Sequence, residues 1–293
     1  MKPKVWNNSS YNGNMTRFVS YPLISLLLLL VLSLATKAQA PALSRGVYDF
    51  PDQPNGAYFK SYLKAAQSIY TAPLHWNKKQ WITAAGVTAA GVLLYVYDDE
   101  IRTVFRNNQS EEADFASKYL FEPWGSGLYP AVAMGGFYVV GLAFDDVRSR
   151  QIALGGTQAW VMSAVTVQVL KHLTHRHRPD QDNPANPRLW EGPFGGFSYT
   201  SFPSGHTITA FSLASFMSSV YHEKIWVSVL AYGLATGVGL SRVYDDKHWS
   251  SDVLIGAALG FAIGKTVYRL MQPGGKLSIA PGRGGGVALV YRF

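Results

Sequence analysis

The sequence contains no cysteine among its 293 residues. Disulfide bonds and thiol chemistry are therefore excluded, and the compartment has to be inferred from targeting signals. Acidic residues are also few, with 18 Asp and Glu against 26 Lys and Arg, which gives a formal net charge of +8. This charge suits an anionic lipid surface or a phosphorylated substrate better than an acidic partner. No nucleic-acid-binding motif accompanies it, so no nucleic acid partner is expected.

The N-terminus has the pattern of a targeting segment. Residues 22–35 form a short apolar core that follows Lys2, Lys4 and Arg17 and leads into Ala38, Gln39 and Ala40. This layout is typical of a cleavable signal peptide over residues 1–40, and it predicts export to a bacterial envelope. The alternative is an uncleaved signal anchor, because the leucine run is also compatible with staying in a bilayer.

The rest of the chain is predicted to be all-α, with a six-helix core bundle and a short C-terminal β-hairpin. Residues 41–80 contain an amphipathic stretch at 58–70 that favours a surface or interfacial helix. The domain at 81–275 carries six apolar segments rich in small residues, which permit close helix approach. These segments are 81–97, 128–144, 151–170, 207–221, 225–240 and 253–270. Residues 276–293 are predicted to form the hairpin, as an appendage; a role in an outer-membrane barrel is the alternative.

The first polar motif, KHLTHRHRP, ends the third apolar segment. Lys171 and Arg178 are seven residues apart, which on a helix places both cations on one face. A guanidinium and an ammonium together suit a multiply charged oxyanion. A basic helix end that only balances the helix dipole is the alternative.

The second motif, PSGH, precedes the fourth apolar segment. Ser204 is a natural N-cap, and Gly205 lets a ligand oxygen approach the free N–H groups of the helix start. His206 is then a candidate general acid. An ordinary serine cap beside a solvated histidine would produce the same pattern.

The third motif, SRVYDDKHWSSD, joins the last two apolar segments. Arg242 is a further candidate phosphate ligand, and His248 precedes Asp252 by four residues. At this spacing on a helix, the carboxylate can hold one ring nitrogen and leave the other free as a nucleophile. An ordinary helical side-chain pair is the alternative reading.

Together, the patterns KxxxxxxRP, PSGH and SRxxxxxHxxxD resemble the signature motifs of the type 2 phosphatidic acid phosphatase and vanadium haloperoxidase superfamily. The resemblance covers roughly residues 80–270, and three motifs in order are far more specific than one. It implies a helical bundle and hydrolysis of phosphoric esters without a metal. It also implies that Lys171, Arg178, Ser204, Gly205 and Arg242 bind the phosphate. In addition, it implies that His248 is the nucleophile, that Asp252 orients it, and that His206 is the general acid and base.

The resemblance leaves the reaction and the substrate open. The expected substrate is a phosphorylated lipid of the bacterial envelope, with membrane lipids as neighbours, and no cofactor is expected. The alternatives on the same fold are a vanadate-dependent haloperoxidase and a broad-specificity soluble periplasmic acid phosphatase. A non-catalytic membrane scaffold is a further alternative. The aromatic-rich loop at 180–202 is a candidate substrate entrance, although local packing would account for its aromatics equally well.

The order of the motifs places all three at one end of an up-and-down bundle. The segments of about 15 to 20 residues are marginal for a membrane span of about 20. A cleaved signal would leave the N-terminus outside, and three full crossings would then put the first motif in the cytoplasm. The expected site therefore faces the periplasm only if one segment, such as 81–97, does not cross. The alternatives are an inward-facing site and a soluble bundle.

Overall fold

The structure is a computed structural model that describes residues 48–195 and 198–272, together with the backbone of two strands, 277–281 and 287–291. The predicted signal peptide, residues 1–40, lies outside the described residues. The described chain is mostly helical, as the sequence predicts. The helices are α1 (Gly56–Tyr70), α2 (Lys78–Val96), α3 (Asp98–Asn107), α4 (Glu111–Phe115), α5 (Glu122–Gly125), α6 (Leu128–Ala143), α7 (Val147–Thr174), α8 (Gly205–Val220), α9 (Ile225–Tyr244) and α10 (Ser250–Met271).

Each of the six apolar segments overlaps one of the long helices α2, α6, α7, α8, α9 and α10. The predicted amphipathic segment is α1, which Asn55 caps by accepting hydrogen bonds from the N–H groups of Ala57 and Tyr58. The short helices α3 to α5 lie outside the segments predicted from the sequence. A π-helical segment, Ala116–Phe121, joins α4 to α5. These short helices are important because they pack beside the ends of α8 and α9.

A stripe of glycines on α10 sets its distance from α8. A Cβ atom at Gly256 would lie 2.9 Å from the carbonyl oxygen of Ser204, and one at Gly260 would collide with the carbonyl of Ile208. Only glycine therefore permits this close approach of the two backbones. As a result, the first turn of α10 lies directly beside the start of α8, where the backbone N–H of Ser204 donates to the carbonyl of Asp252 at 3.1 Å.

The core lies between α1, α6, α7, α8 and α10. Its fully buried side chains include Phe137, Ile152, Ile208, Phe216 and Ile263. Many other apolar side chains remain exposed on the outer helix faces, among them Val139, Val229 and Ile225. In the part of the chain that the structure describes, two helices, α9 and α10, are long and apolar enough to cross a membrane. The number rises to four if each of the bent pairs, α2 with α3 and α4–α5 with α6, is one span.

The two C-terminal strands are β1 (Leu277–Pro281) and β2 (Val287–Tyr291), and they pair antiparallel with Ile279 opposite Leu289. The residues between them, 282–286, lie outside the described part of the chain.

Candidate active site

The three motifs converge at one end of the bundle, where α7 ends, α8 begins, and α9 passes into α10. They bring together all eight residues that the sequence singled out, which are Lys171, Arg178, Ser204, Gly205, His206, Arg242, His248 and Asp252. The electrostatic influence of Lys171 and Arg178 reaches both histidines, and that of Arg242 reaches His206. Several of these polar groups are deeply buried, including Arg242, His248 and Asp252.

The first motif differs from the prediction of one continuous helical face. α7 ends at Thr174, and His175 follows with a φ of 43°, in the left-handed region that ends helices. Arg178 therefore lies in the loop beyond the helix rather than two turns along it. It still points toward Lys171, whose pKa its charge lowers. Within the described residues, the Nε atom of Arg178 is buried without a hydrogen-bond partner, so this donor is available to an anion.

The second motif starts α8, with Ser204 at the N-cap position. The Ser204 side chain makes no capping hydrogen bond, contrary to a simple cap, and instead accepts one from the Thr207 hydroxyl at 2.8 Å. The position of a Cβ on Gly205 would be 3.7 Å from the Nζ atom of Lys171. The free N–H groups of the helix start and the Lys171 ammonium therefore lie on the same side of the site.

His248 precedes α10 instead of lying on it, because the helix begins only at Ser250. Its Nδ1 atom is 4.0 Å from Oδ2 of Asp252, too far for a hydrogen bond, so the predicted helical i, i+4 pairing is wrong in its geometry. Nδ1 is instead 2.7 Å from the carbonyl oxygen of Ser201. Because a carbonyl only accepts, Nδ1 must carry the proton, and Nε2 of the neutral ring holds a lone pair.

Asp252 acts on this arrangement through neighbouring groups. Its Oδ2 atom accepts from the Ser201 hydroxyl at 2.5 Å and from the backbone N–H of Trp249 at 3.1 Å. Ser201 carries the carbonyl that accepts from Nδ1 of His248, and Trp249 is the next residue after His248 in the backbone. Asp252 thus fixes the imidazole indirectly, by positioning the segments on both sides of it.

A buried ion cluster that the motif spacing does not predict supports Asp252. Arg176 is completely buried, and its guanidinium bridges Asp252, at 2.5 Å, and Asp98 at the start of α3, at 2.8 Å. Asp98 in turn accepts from the backbone N–H of Ser251 at 3.0 Å and from the hydroxyls of Ser250 and Ser251. Asp98 therefore holds the first turn of α10 in place.

Aromatic rings enclose the Arg176 guanidinium. The rings of Tyr95, Trp190 and Trp249 have their centroids 4.9 to 5.5 Å from its central carbon. Trp190 belongs to the loop at 180–202, the candidate substrate entrance. The ring of Phe202 packs against that of Trp190, with the centroids 5.3 Å apart. The ring of Tyr199 stacks on that of His177, with the centroids 3.6 Å apart, whereas Phe194 is exposed. Packing on the first motif thus accounts for Trp190 and Tyr199, and packing on Trp190 accounts for Phe202; Phe197 lies outside the described residues.

The phosphate-binding candidate Arg242 is held by acidic side chains. Its Nη2 atom donates to Asp245 at 2.6 Å, and the Ser117 hydroxyl of the π-helical segment donates to the same carboxylate oxygen at 2.7 Å. Glu122 of α5 lies 4.0 Å from Nη1. The short helices after α3 therefore form a wall of the site.

That wall also touches His206. A Cβ atom on Gly125, the last residue of α5, would lie only 2.5 Å from the Cβ of His206 and 2.7 Å from its ring. Gly125 is buried, so a side chain at this position would displace the imidazole. The sequence offers little signal for this contact, because the two residues are 81 positions apart and belong to no common motif.

Charge and burial shift the ionisation of the site in a consistent direction. Burial, reinforced by Arg178, lowers the pKa of Lys171 to about 8, with Asp252 opposing the shift. Burial and the charges of Arg242, Lys171 and Arg178 lower the pKa of His206 to about 4. Burial, with Lys171, Arg178 and His206, likewise lowers the pKa of His248 well below its ordinary value. At neutral pH both imidazoles are therefore neutral before an anion arrives. All three groups lie outside the four candidate spans.

In the described residues, no group of three or more His, Asp or Glu side chains is arranged to hold a metal ion. The extra histidines of the first motif have other contacts. His177 lies between the carboxylates of Asp182 and Glu191, at 2.9 and 3.1 Å, and the Nδ1 atom of His175 is 2.6 Å from the carbonyl of Gly192.

Residues 157–276 match the family model described as the PAP2 superfamily. The PAP2 resemblance is confirmed for this region. Residues 157–276 contain all eight candidate site residues, from Lys171 to Asp252. No curated protein matches the chain.

Two solved structures are similar to this chain. One is described as the first transmembrane PAP2 type phosphatidylglycerolphosphate phosphatase, from Bacillus subtilis. It is 24% identical, the match covers 72% of this chain and 92% of that chain, and the TM-score is 0.45. The other is LpxE from Aquifex aeolicus, which is 21% identical, with 58% and 93% coverage and a TM-score of 0.40.

Proposed function

We propose that this chain is a lipid phosphate phosphatase that hydrolyses phosphate monoesters or diphosphates in the bacterial envelope through a phosphohistidine at His248. One observation carries the proposal above the others. The His248 ring donates from Nδ1 to the Ser201 carbonyl at 2.7 Å, so the lone pair of Nε2 is free in a site surrounded by cations. A buried neutral imidazole in this setting is suited to attack on phosphorus.

Substrate binding is assigned to the three cations and the start of α8. Lys171, Arg178 and Arg242 neutralise the phosphoryl oxygens, and the N–H groups near Ser204 and Gly205 donate to them. Phosphoryl transfer gains most from fixed charges that meet the developing charge on these oxygens, because they need no reorganisation during reaction.

In the first half-reaction, Nε2 of His248 forms a bond to phosphorus as the bond to the leaving oxygen breaks. His206 gives its proton to that oxygen. The pKa of about 4 describes His206 before binding. A phosphate with two negative charges offsets the nearby cations and raises the pKa of this imidazole, so the proton is taken up with the substrate.

In the second half-reaction, a water molecule attacks phosphorus and the bond to Nε2 breaks. His206, now neutral, takes the proton from that water, as microscopic reversibility requires. Inorganic phosphate leaves and His248 regains its lone pair. The Ser201 carbonyl and the Asp252 network keep the orientation of the His248 ring constant through both steps. Neither half-reaction, as proposed, uses a metal or another cofactor.

A lipid substrate is favoured by the surface of the bundle. Helices α2, α6 and α9 expose large apolar side chains, including Leu93, Val139 and Val229, each more than half exposed. α9 and α10 have the length and composition of membrane spans. We therefore place the chain in a membrane, with the phosphate site at its periplasmic end; this orientation requires that one segment before the first motif, such as 81–97, does not cross.

The proposal is tested by phosphate release from three substrates: phosphatidic acid, a prenyl diphosphate and p-nitrophenyl phosphate, each with EDTA. We expect release from the lipids, undiminished by the chelator, and loss of that release when Arg178 is replaced by Ala. Activity that requires added metal would contradict the proposal. Absence of release, with vanadate-dependent halide oxidation by peroxide, would instead assign the site to a haloperoxidase.

The lowered pKa of Lys171 predicts the alkaline limit of activity. A lysine is charged below its pKa, so phosphate binding should be intact below about pH 8 and should weaken as pH rises through that value. With p-nitrophenyl phosphate, whose leaving group needs no proton, we expect kcat/KM to fall about tenfold per pH unit above that point. Lys171→Arg keeps the charge and should move the fall beyond pH 10. A limit unchanged in this variant would refute the assignment to Lys171.

A further inference from the structure

An apolar groove begins next to the phosphate site. It is a cavity of about 150 Å³ between α5, α6, α8 and α9, and every side chain that lines it is apolar. We call it the α8–α9 groove; Trp124, Phe137, Ala210, Ala214, Ala231 and Leu234 are among its walls. The groove exists because several of its lining residues on α8 and α9 are alanines. Trp124 of α5 and Phe137 of α6 form part of the facing wall.

The helical repeat connects this groove to His206. On α8, Ala210 and Ala214 follow His206 by four and eight residues, so all three lie on one face of the helix. On the same face, Met217 continues the lining one turn further. The groove therefore starts one turn below the imidazole and extends along α8 for about 10 Å.

The same relation holds on α9. Ala235, which lines the groove, precedes Arg242 by seven residues, two turns along one face of the helix. At the top of the groove, Trp124 adjoins Gly125, which packs against His206. Residues on α8 and α9 thus place one end of the groove near the general acid, His206, and near one phosphate-binding cation, Arg242.

The chemistry of the leaving group indicates what occupies the groove. His206 protonates the leaving oxygen, so the carbon skeleton of the departing alcohol must emerge from the site beside this residue. We infer that the α8–α9 groove binds a hydrocarbon chain of the substrate, in the part nearest the phosphorylated end. This inference rests on the proposed phosphatase function and adds to it a binding site for the hydrocarbon chain.

Filling the groove tests the inference. Ala231 is only partly buried, so Ala231→Phe places a ring in the groove with little disturbance of the core. The matched control is Val229→Phe, two residues away on the same helix and 67% exposed. The substrates are phosphatidic acid with 16-carbon chains, glycerol 3-phosphate, which has the same phosphorylated end without acyl chains, and p-nitrophenyl phosphate.

For Ala231→Phe we expect about a tenfold loss of kcat/KM on the 16-carbon lipid, mostly through KM, and less than a twofold loss on the other two substrates. Val229→Phe should resemble the wild type on all three. Equal losses on every substrate, or no loss on the long-chain lipid, would overturn the inference while leaving the phosphatase proposal intact. No release by the wild type from any substrate would overturn the phosphatase proposal itself, and with it the groove.

A second measurement avoids dependence on how the variant folds. A phosphatidic acid with a diazirine near the start of one acyl chain should photolabel peptides that contain Ala210 to Met217 and Ala231 to Ala235 of the wild-type protein. Unlabelled long-chain phosphatidic acid should displace this label. Labelling spread over the outer helix faces, without displacement, would contradict the groove.

Discussion

Replacing His248 with Asn should lower kcat by at least about a thousandfold while the protein remains folded. The asparagine amide can occupy the position of Nδ1 and keep the donation to the Ser201 carbonyl, but it offers no nucleophile where Nε2 was. The variant thus separates the loss of the attacking atom from the loss of a buried hydrogen bond. The measurement is the rate of phosphate release from phosphatidic acid, with circular dichroism to verify the fold.

The matched control is His222→Asn, which alters an exposed histidine just after α8. This variant should retain wild-type activity. If His248→Asn kept more than about a tenth of the wild-type rate, attack by His248 would be excluded and a water molecule would have to be the nucleophile.

The second large effect is expected at Arg176. Arg176→Met removes the single cation between Asp98 and Asp252 and leaves two fully buried carboxylates without it. Breaking a buried ion pair in this way costs about 3 to 5 kcal/mol of unfolding free energy. The activity should fall as well, mainly in kcat, because the segments that hold the His248 ring lose their support. Thermal unfolding and steady-state kinetics in detergent measure the two effects.

Two further variants make this prediction specific. Arg188→Met changes an exposed arginine in the segment between α7 and α8, which also contains Arg176. It should leave both the unfolding free energy and kcat unchanged. Arg176→Met combined with Asp98→Asn removes one of the stranded charges and should recover part of the lost stability. An Arg176→Met protein within about 1 kcal/mol of the wild type would show that the cluster does not support the site.

Sequence reasoning was most successful where side chains in one motif act at the ends of helices. The motifs identified the cations and histidines, and the long apolar helices between them made convergence at one end predictable. The detailed geometry was less accessible. His175 adopts a left-handed conformation that ends α7 early, and α10 starts after His248, so neither motif is helical throughout. These local breaks arise from tertiary contacts instead of residue spacing.

The supporting residues were not predictable for different physical reasons. Ser201 contributes a backbone carbonyl to His248, and a carbonyl has no signature in the sequence. Asp98 lies 78 positions from Arg176 and is one of three acidic residues that start α3, so sequence alone gave no reason to select it. Gly125 matters only because α5 packs on the start of α8. Such long-range contacts depend on how the short helices pack. Because these helices are polar, their sequence pattern resembles that of loops.

The most direct test of the central claim is to trap the phosphorylated enzyme. In His206→Ala, p-nitrophenyl phosphate should still phosphorylate His248, because its leaving group needs no acid, whereas hydrolysis should be slow without a base. Digestion under alkaline conditions, which preserve phosphohistidine, should place the phosphate on the peptide that contains His248. Phosphate found on another residue, or a wild-type rate of turnover without any phosphorylated peptide, would contradict the proposed mechanism.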